Sequence, residues 1–563
     1  MLRPVVGLAL LCLTAAAPSP ALIFTVGGAG CTQPDLVAAL AAAASNPGHD
    51  EIRLLAGVSY QGQFLVSSDD LAIIGGFATC AAPAPTGTST LLGSNSSRAL
   101  FLNSTGLVLL KKLNLTGGAP TGNGGGALLQ GSGEIQLIDV LIFDNSATGD
   151  GGNVYVNASP GLTVNFFGSS LISQGNATDG GGLACAGDGT VFFRDRVLVA
   201  SNEATGDGGG VHLSAGCALF HSSSGAGSGI VSNSAGGLGG GVYIDSGAEM
   251  NTDLGGFGLA PIEMNLAPNG SGGGVYVAGS GSVLRAFFAR IRGNTALSAG
   301  GGIAAEAGAV VAIGRPGPTF GQCADGAHCS VVSDNEAATG GGVWVNHSSV
   351  SIHGTSIEHN SADGGSAVYV FDSAAAAIDS TVIARNEGPA PIVVGNSASL
   401  TLGNVTAVGN TNIGANFITA AAAATSVRVL TSIFSQPSGQ LLSSPGAATT
   451  TQVDCVLSPT VNFLGGLPTG TVTRALYVAD PRFANEALGN YQIKGNSPAI
   501  DHCDTTQWTG GSNDIDWQPR NIDNGFLDVL GIRDLGADEY RDIFSNGFET
   551  GNTLLWSATV ASP

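Results

Sequence analysis

An asparagine, a short loop, a run of glycines and then a strand recur along this chain at a spacing near thirty residues, and no compact globular fold accommodates that pattern. The unit reads Asn202-Glu203-Ala204-Thr205-Gly206-Asp207-Gly208-Gly209-Gly210-Val211-His212-Leu213. It returns as Asn233-Ser234-Ala235 before Gly239-Gly240-Gly241-Val242-Tyr243-Ile244, and as Asn294-Thr295-Ala296 before Gly300-Gly301-Gly302-Ile303. Glycine runs begin at 124, 151, 180, 208, 239, 272, 300, 340 and 364. Such a period marks a solenoid, in which each repeat buries its apolar face only against its neighbours.

The residues inside the repeat specify which solenoid. Val154-Tyr155-Val156, Val211-His212-Leu213, Val242-Tyr243-Ile244, Val275-Tyr276-Val277, Val343-Trp344-Val345 and Val368-Tyr369-Val370 alternate, so the aliphatic pair points inward and the middle residue outward. Strands this short serve as single rungs of a coil, stacked about 4.8 Å apart with parallel pairing. The glycines fit corners that need positive φ or leave no room for a Cβ. An asparagine column (Asn145, Asn176, Asn202, Asn233, Asn265, Asn294, Asn335, Asn360) suits a turn, by tolerating left-handed φ and by bonding amide to amide between rungs. The expected fold is all-β: a right-handed parallel β-helix with an N-terminal helical cap and a small C-terminal β-rich domain.

Around the repeat at 91–430 the chain divides further. Residues 1–21 read as a secretory leader, with Arg3 before the apolar stretch Val5 to Leu13 and small residues at the cut site. Residues 22–90 form a cap and first rungs, with a helix through Leu36 to Ala41 that Thr32 or Gln33 caps and that has Pro34 in its first turn. A C-terminal region spans 431–541 and a short tail 542–563. No stretch after the leader is apolar and long enough to span a bilayer, so the mature chain is expected to be exported, extracellular or on the outer cell surface, and monomeric. Of nine cysteines, Cys12 lies in the leader, and the other eight are expected to pair as Cys31–Cys80, Cys185–Cys217, Cys323–Cys329 and Cys455–Cys503.

Two resemblances add to this reading. The Ile/Val-x-x-Asn and Gly-Gly-Gly-apolar pattern over roughly 120–410 resembles the repeats of bacterial polymorphic outer membrane proteins, with Ile291-Arg292-Gly293-Asn294 and Ile357-Glu358-His359-Asn360 in place of the Phe-led motif. The ordered motifs Asp480-Pro481-Arg482-Phe483, Asn490-Tyr491-Gln492-Ile493, Ser497-Pro498-Ala499-Ile500-Asp501, Gln518-Pro519-Arg520 and Asp534-Leu535-Gly536-Ala537-Asp538-Glu539 are similar to the choice-of-anchor Q domain. That resemblance implies export and a surface fate rather than a chemistry. The ending Ile543-Phe544-Ser545-Asn546-Gly547-Phe548 is similar to a sorting signal of secreted proteins.

Function is less legible. A net charge of −22, from 41 acidic and 19 basic residues, argues against nucleic acid and strongly anionic polymers as partners. The outward slot holding Tyr155, His212, Tyr243, Tyr276, Trp344 and Tyr369 is expected to form an exposed aromatic row, interrupted at Ala184 and Ala304, against which a carbohydrate polymer or surface protein would lie. For a lyase, Arg194 and Arg196 are the candidate catalytic residues, on one outward strand face with Asp195 opposite. Polygalacturonase-like paired carboxylates do not stand out. Calcium is the one cofactor the sequence admits, through Asp150, Asp179 and Asp207 before three consecutive glycine runs. The expected role is non-enzymatic adhesion or glycan/protein binding, ahead of a polysaccharide lyase or hydrolase and of a structural spacer.

Overall fold

The computed structural model describes residues 21–67, 70–222, 227–252, 259–314, 330–412, 416–420, 425–436, 439–443, 450–465, 467, 471–504, 512–520 and 531–540. Residues 1–20 of the expected leader at 1–21, the Cys323–Cys329 pair and the tail lie outside them. Described strands wind into a right-handed parallel β-helix of about 15 turns. One 14-stranded face runs from Phe64–Val66 to Gln440–Ser443 and carries the aromatic slot. A 9-stranded narrow face runs from Asn176–Ala177 to Thr411–Asn412. Two further strand columns merge into one 28-stranded sheet, because long strands such as Ala375–Ala384 and Ser399–Val408 bend through both.

Inward side chains form one continuous aliphatic core, from Phe24 to Leu464. Its N-terminal end is closed by helix α1, Leu36–Ser45, which buries Leu36, Ala39, Leu40 and Ala43. The helix cap is Asp35 rather than Thr32 or Gln33: its carboxylate accepts from the Ala38 amide at 2.8 Å. Being the last non-helical residue after Pro34, Asp35 alone places an acceptor over the open first turn.

Asparagine and glycine share one corner. Asn294 shows the pattern: Nδ2 donates to Asn335 Oδ1 (3.0 Å) and to the Ile262 carbonyl (2.9 Å), and Oδ1 accepts from Asn265 Nδ2 and the Asn265 amide (2.9 Å each). The ladder runs unbroken from Asn202 through Asn233, Asn265, Asn294, Asn335, Asn360 and Asn386 to Asn410. The left-handed backbone belongs to the residue before each buried asparagine, not to the asparagine: nine such positions from Asp144 to Gly409, and Gln174 before Gly175, have φ between +53° and +63°. Glycine makes the room. Gly239 turns at φ +66°, and a Cβ on Gly241 would lie 2.9 Å from the Asn265 amide.

Asn176 is a correction to the expected column. It is exposed and pairs with Glu203 in the narrow face. The ladder position in its rung is Gly175, and the amide is supplied from across the corner by Asn153, which occupies the third glycine place of its run. Asn153 accepts from Asn145 Nδ2 (2.8 Å) and donates to Asn202 Oδ1 (3.0 Å). A Cβ on Gly175 would sit 2.5 Å from Asn153 Nδ2. The two residues have exchanged places, and the chain of amides survives.

Cys31–Cys80, Cys185–Cys217 and Cys455–Cys503 are disulfides. Parallel pairing does not stop at 430 but continues through Ser426–Ser435 and Thr450–Ser458 to Val472–Tyr477. Beyond it the chain turns back along the coil. Phe483, Tyr491, Ile500 and Leu535 pack on the outward side chains Val382, Val408, Ile433 and Leu457 and form a second apolar core. Cys455–Cys503 tethers that segment, and the Gly536 amide donates to the Thr431 carbonyl at 2.9 Å.

Two stability tests follow from the packing. Asn294→Ala removes an amide and strands buried donors on Asn265, so a loss of roughly 3 kcal/mol is expected in denaturant unfolding, against less than about 0.5 kcal/mol for Asn176→Ala. Equal effects would refute the ladder's role. His221 is fully buried in line with Phe193, and burial pushes its pKa down to about 4 against a smaller upward pull from Pro261. The unfolded imidazole, near 6.5, then binds more protons than the native one. Stability is full above about pH 6.5 and falls by roughly 3 kcal/mol as pH drops towards 4. His221→Phe is expected to remove that slope from thermal or denaturant midpoints measured against pH.

Candidate ligand-binding face

The aromatic slot forms a single column in register: Tyr155, Ala184, His212, Tyr243, Tyr276, Ala304, Trp344 and Tyr369 are successive cross-rung partners. The expected alignment and its two interruptions are both present. The expected exposure is not. Tyr276 is only 5% exposed, and Tyr155, His212, Tyr243, Trp344 and Tyr369 are half-buried. Their side chains start beside the glycine corner: a Cβ on Gly340 would lie 2.7 Å from Trp344 Cβ, and one on Gly364 3.7 Å from Tyr369 Cε2. Without a side chain at the corner, a ring has space to lie against it.

Within the column, contact between rings is closest in its middle. His212 meets Tyr243 edge-on at 5.1 Å, and Tyr243 stacks on Tyr276 at 5.6 Å and 10°. Such contacts stabilise the sheet whether or not a ligand is bound. The Tyr276 hydroxyl donates to Glu306, which ties that ring down.

Carboxylates border the same rings. Asp179 Oδ1 accepts from the Asp207 amide (2.6 Å) and Asp207 Oδ1 from the Leu238 amide (2.7 Å). The three aspartates singled out for calcium thus form a column whose carboxylates cap the next rung. No group of three or more His, Cys, Asp or Glu side chains among the described residues is arranged to hold a metal. Burial raises the pKa of Asp150, with Asp179 adding to it, and burial likewise raises that of Asp207. His212 feels the opposite pulls: burial lowers it, but Asp245, 3.7 Å away, together with Asp179 and Asp150 outweighs burial and holds it above its ordinary value. Burial and the Asp245 charge push the Tyr243 phenol up to about 12. Asp245 and Glu306 escaped sequence reading, although both stand two places after the slot residue of their rung.

The arginines lie elsewhere. Arg194 and Arg196 are not on one strand face, because the strand ends at Phe193 and Asp195 turns at φ +57°. The guanidinium of Arg194 lies over the Phe192 ring at 4.4 Å, and Arg196 donates to Ser169 Oγ at 3.0 Å. This corner belongs to the 28-stranded sheet, away from the aromatic column. Arg290 and Arg292, also in the coil, pair with Glu263 and Asp334 respectively.

No protein-family model and no curated protein matches this chain.

Since its native pKa lies above the unfolded one, the His212 cluster contributes stability below about pH 6.5 and loses it as pH rises through the native pKa. NMR titration of the His212 ring is expected to show a pKa above that of a free imidazole, and Asp245→Asn is expected to lower it. An unchanged titration in that variant would disprove the coupling.

Proposed function

We propose that this protein is an exported, surface-acting β-helix that binds an extended carbohydrate polymer along its aromatic column without turning it over. The observation that carries this reading is the register itself: half-buried rings in one line, stepped by about 4.8 Å per rung and flanked by carboxylates at Asp150, Asp179, Asp207 and Asp245. Rings supply stacking faces for sugars, and the carboxylates and phenols supply acceptors and donors for hydroxyls. The step is close to the length of one sugar residue, so a polymer along the coil axis would meet repeated contacts.

Export is supported by the leader-like start of the sequence and by three disulfides, which persist in oxidising surroundings. No helix among the described residues is long and apolar enough to cross a membrane. Motifs resembling the polymorphic outer membrane repeat and the choice-of-anchor Q pattern point the same way, towards a surface fate. A second reading, a structural spacer, is favoured by the burial of Tyr276 and its bond to Glu306, which a purely architectural column would also show.

A panel of soluble polysaccharides, assayed for both binding and release of reducing or unsaturated sugars, separates these readings. Binding without release is expected. Tyr155→Ala, Tyr243→Ala and Trp344→Ala together are expected to weaken it at least about tenfold, at about 0.5–1.5 kcal/mol for each stacking ring lost. Tyr276 is left intact because its removal would disturb the sheet. Binding unaffected by the triple variant would refute the proposed face, and sugar release that depends on Arg194 or Arg196 would make the protein an enzyme.

A further inference from the structure

Where the C-terminal segment folds back on the coil, the two leave a cavity of about 190 Å³ between them. We propose that this cavity receives an alkylammonium group, the side chain of a lysine on a partner polypeptide. The inference is independent of the carbohydrate reading, since the cavity lies outside the aromatic column.

The walls are of two kinds. Val382 from the coil and Ile515 from the folded-back segment are apolar, and Tyr491 adds its ring. Against them stand Asp538 and Asp516, with Gln492 at the rim. Asp538 is 8% exposed and makes no hydrogen bond or ion pair with any described residue. The Tyr491 hydroxyl, on a residue 5% exposed, is likewise buried without a hydrogen-bond partner. Asp516 Oδ2 accepts from Gln492 Nε2 at 2.8 Å, which fixes a second carboxylate at the opening.

A buried carboxylate without a partner is costly, and it is relieved by a cation or by a proton. Burial raises the Asp538 pKa well above the ordinary range, and Asp514, Asp516 and Asp534 push the same way. Arg520 opposes them, but its guanidinium is engaged elsewhere. Nη2 donates to the Ala537 carbonyl (2.5 Å), Nε to that of Asn513 (3.3 Å), and Nη1 lies 3.8 Å from Glu539. No described lysine or arginine lines the cavity. The chain's three lysines are Lys111, Lys112 and Lys494, and Lys112 pairs with Asp139. A group suited to the space carries one positive charge and brings methylenes to lie on Val382 and Ile515. A lysine side chain has that form, with the charge at the end of an apolar stem. A metal ion would leave the apolar walls unused.

Isothermal titration of the mature chain with the blocked tripeptide Gly-Lys-Gly, and with its norleucine counterpart, tests the assignment. Saturable one-to-one binding of the lysine peptide is expected, at least about tenfold tighter than the norleucine peptide. Asp538→Asn is expected to lower lysine affinity at least about tenfold while its thermal midpoint stays or rises, because an unpaired buried carboxyl is gone. Asp516→Asn, at the accessible rim, is expected to lower affinity about two- to fivefold and decides the matter should the first variant fail to fold. Absence of saturable binding, equal affinity for norleucine, or unchanged affinity in the variants would overturn the proposal.

Discussion

A buried amide that donates twice and accepts twice at each rung is the interaction on which this coil depends. The corner it occupies forces the preceding residue into left-handed backbone, which costs most side chains about 1 kcal/mol or more. Ten such corners are held in line, eight of them by the unbroken Asn202 to Asn410 ladder. The exchange at Asn153 and Gly175 shows how strict the constraint is. The asparagine has moved to the opposite side of the corner, the glycine has moved to where the asparagine was, and the amides still touch.

The same corner shapes the candidate face. Glycines that make room for the amide also remove the side chains that would otherwise hold the slot residues away from the turn. The rings settle against the glycine corner, near the aspartates, and burial then raises the pKa of Tyr155, Tyr243 and Asp207. Architecture and surface chemistry are thus coupled: what allows the coil to close also sets how much of each ring is left to meet a ligand. The break points at Ala184 and Ala304 divide the column into Tyr155, a packed trio of His212, Tyr243 and Tyr276, and the pair Trp344 and Tyr369.

Much of this was legible in the sequence because the repeat translates directly into neighbours. Alternation in Val242-Tyr243-Ile244 identified the inward pair, and the glycine spacing identified the rungs. Ring burial was not legible, since it depends on the absence of a side chain at a corner several residues away. The displaced amide at Asn153 was hidden for a similar reason: it and Gly175 are adjacent only once the coil is stacked. Arg194 and Arg196 were misplaced because a one-residue turn at Asp195 breaks the alternation without a glycine to announce it. The docking of the C-terminal segment did leave a signal. Val382, Val408 and Ile433 place aliphatic side chains at outward positions, as strands buried on both faces do.

The most direct test of the central claim is hydrogen–deuterium exchange of the mature chain, with and without a polysaccharide that binds it. Added protection is expected to repeat along the chain at the glycine-run corners and slot strands near 151–156, 208–213, 239–244 and 340–345, the segments that carry Tyr155, His212, Tyr243 and Trp344. Protection confined to the narrow face, to the corner at Arg194 and Arg196, or to the C-terminal segment would contradict it.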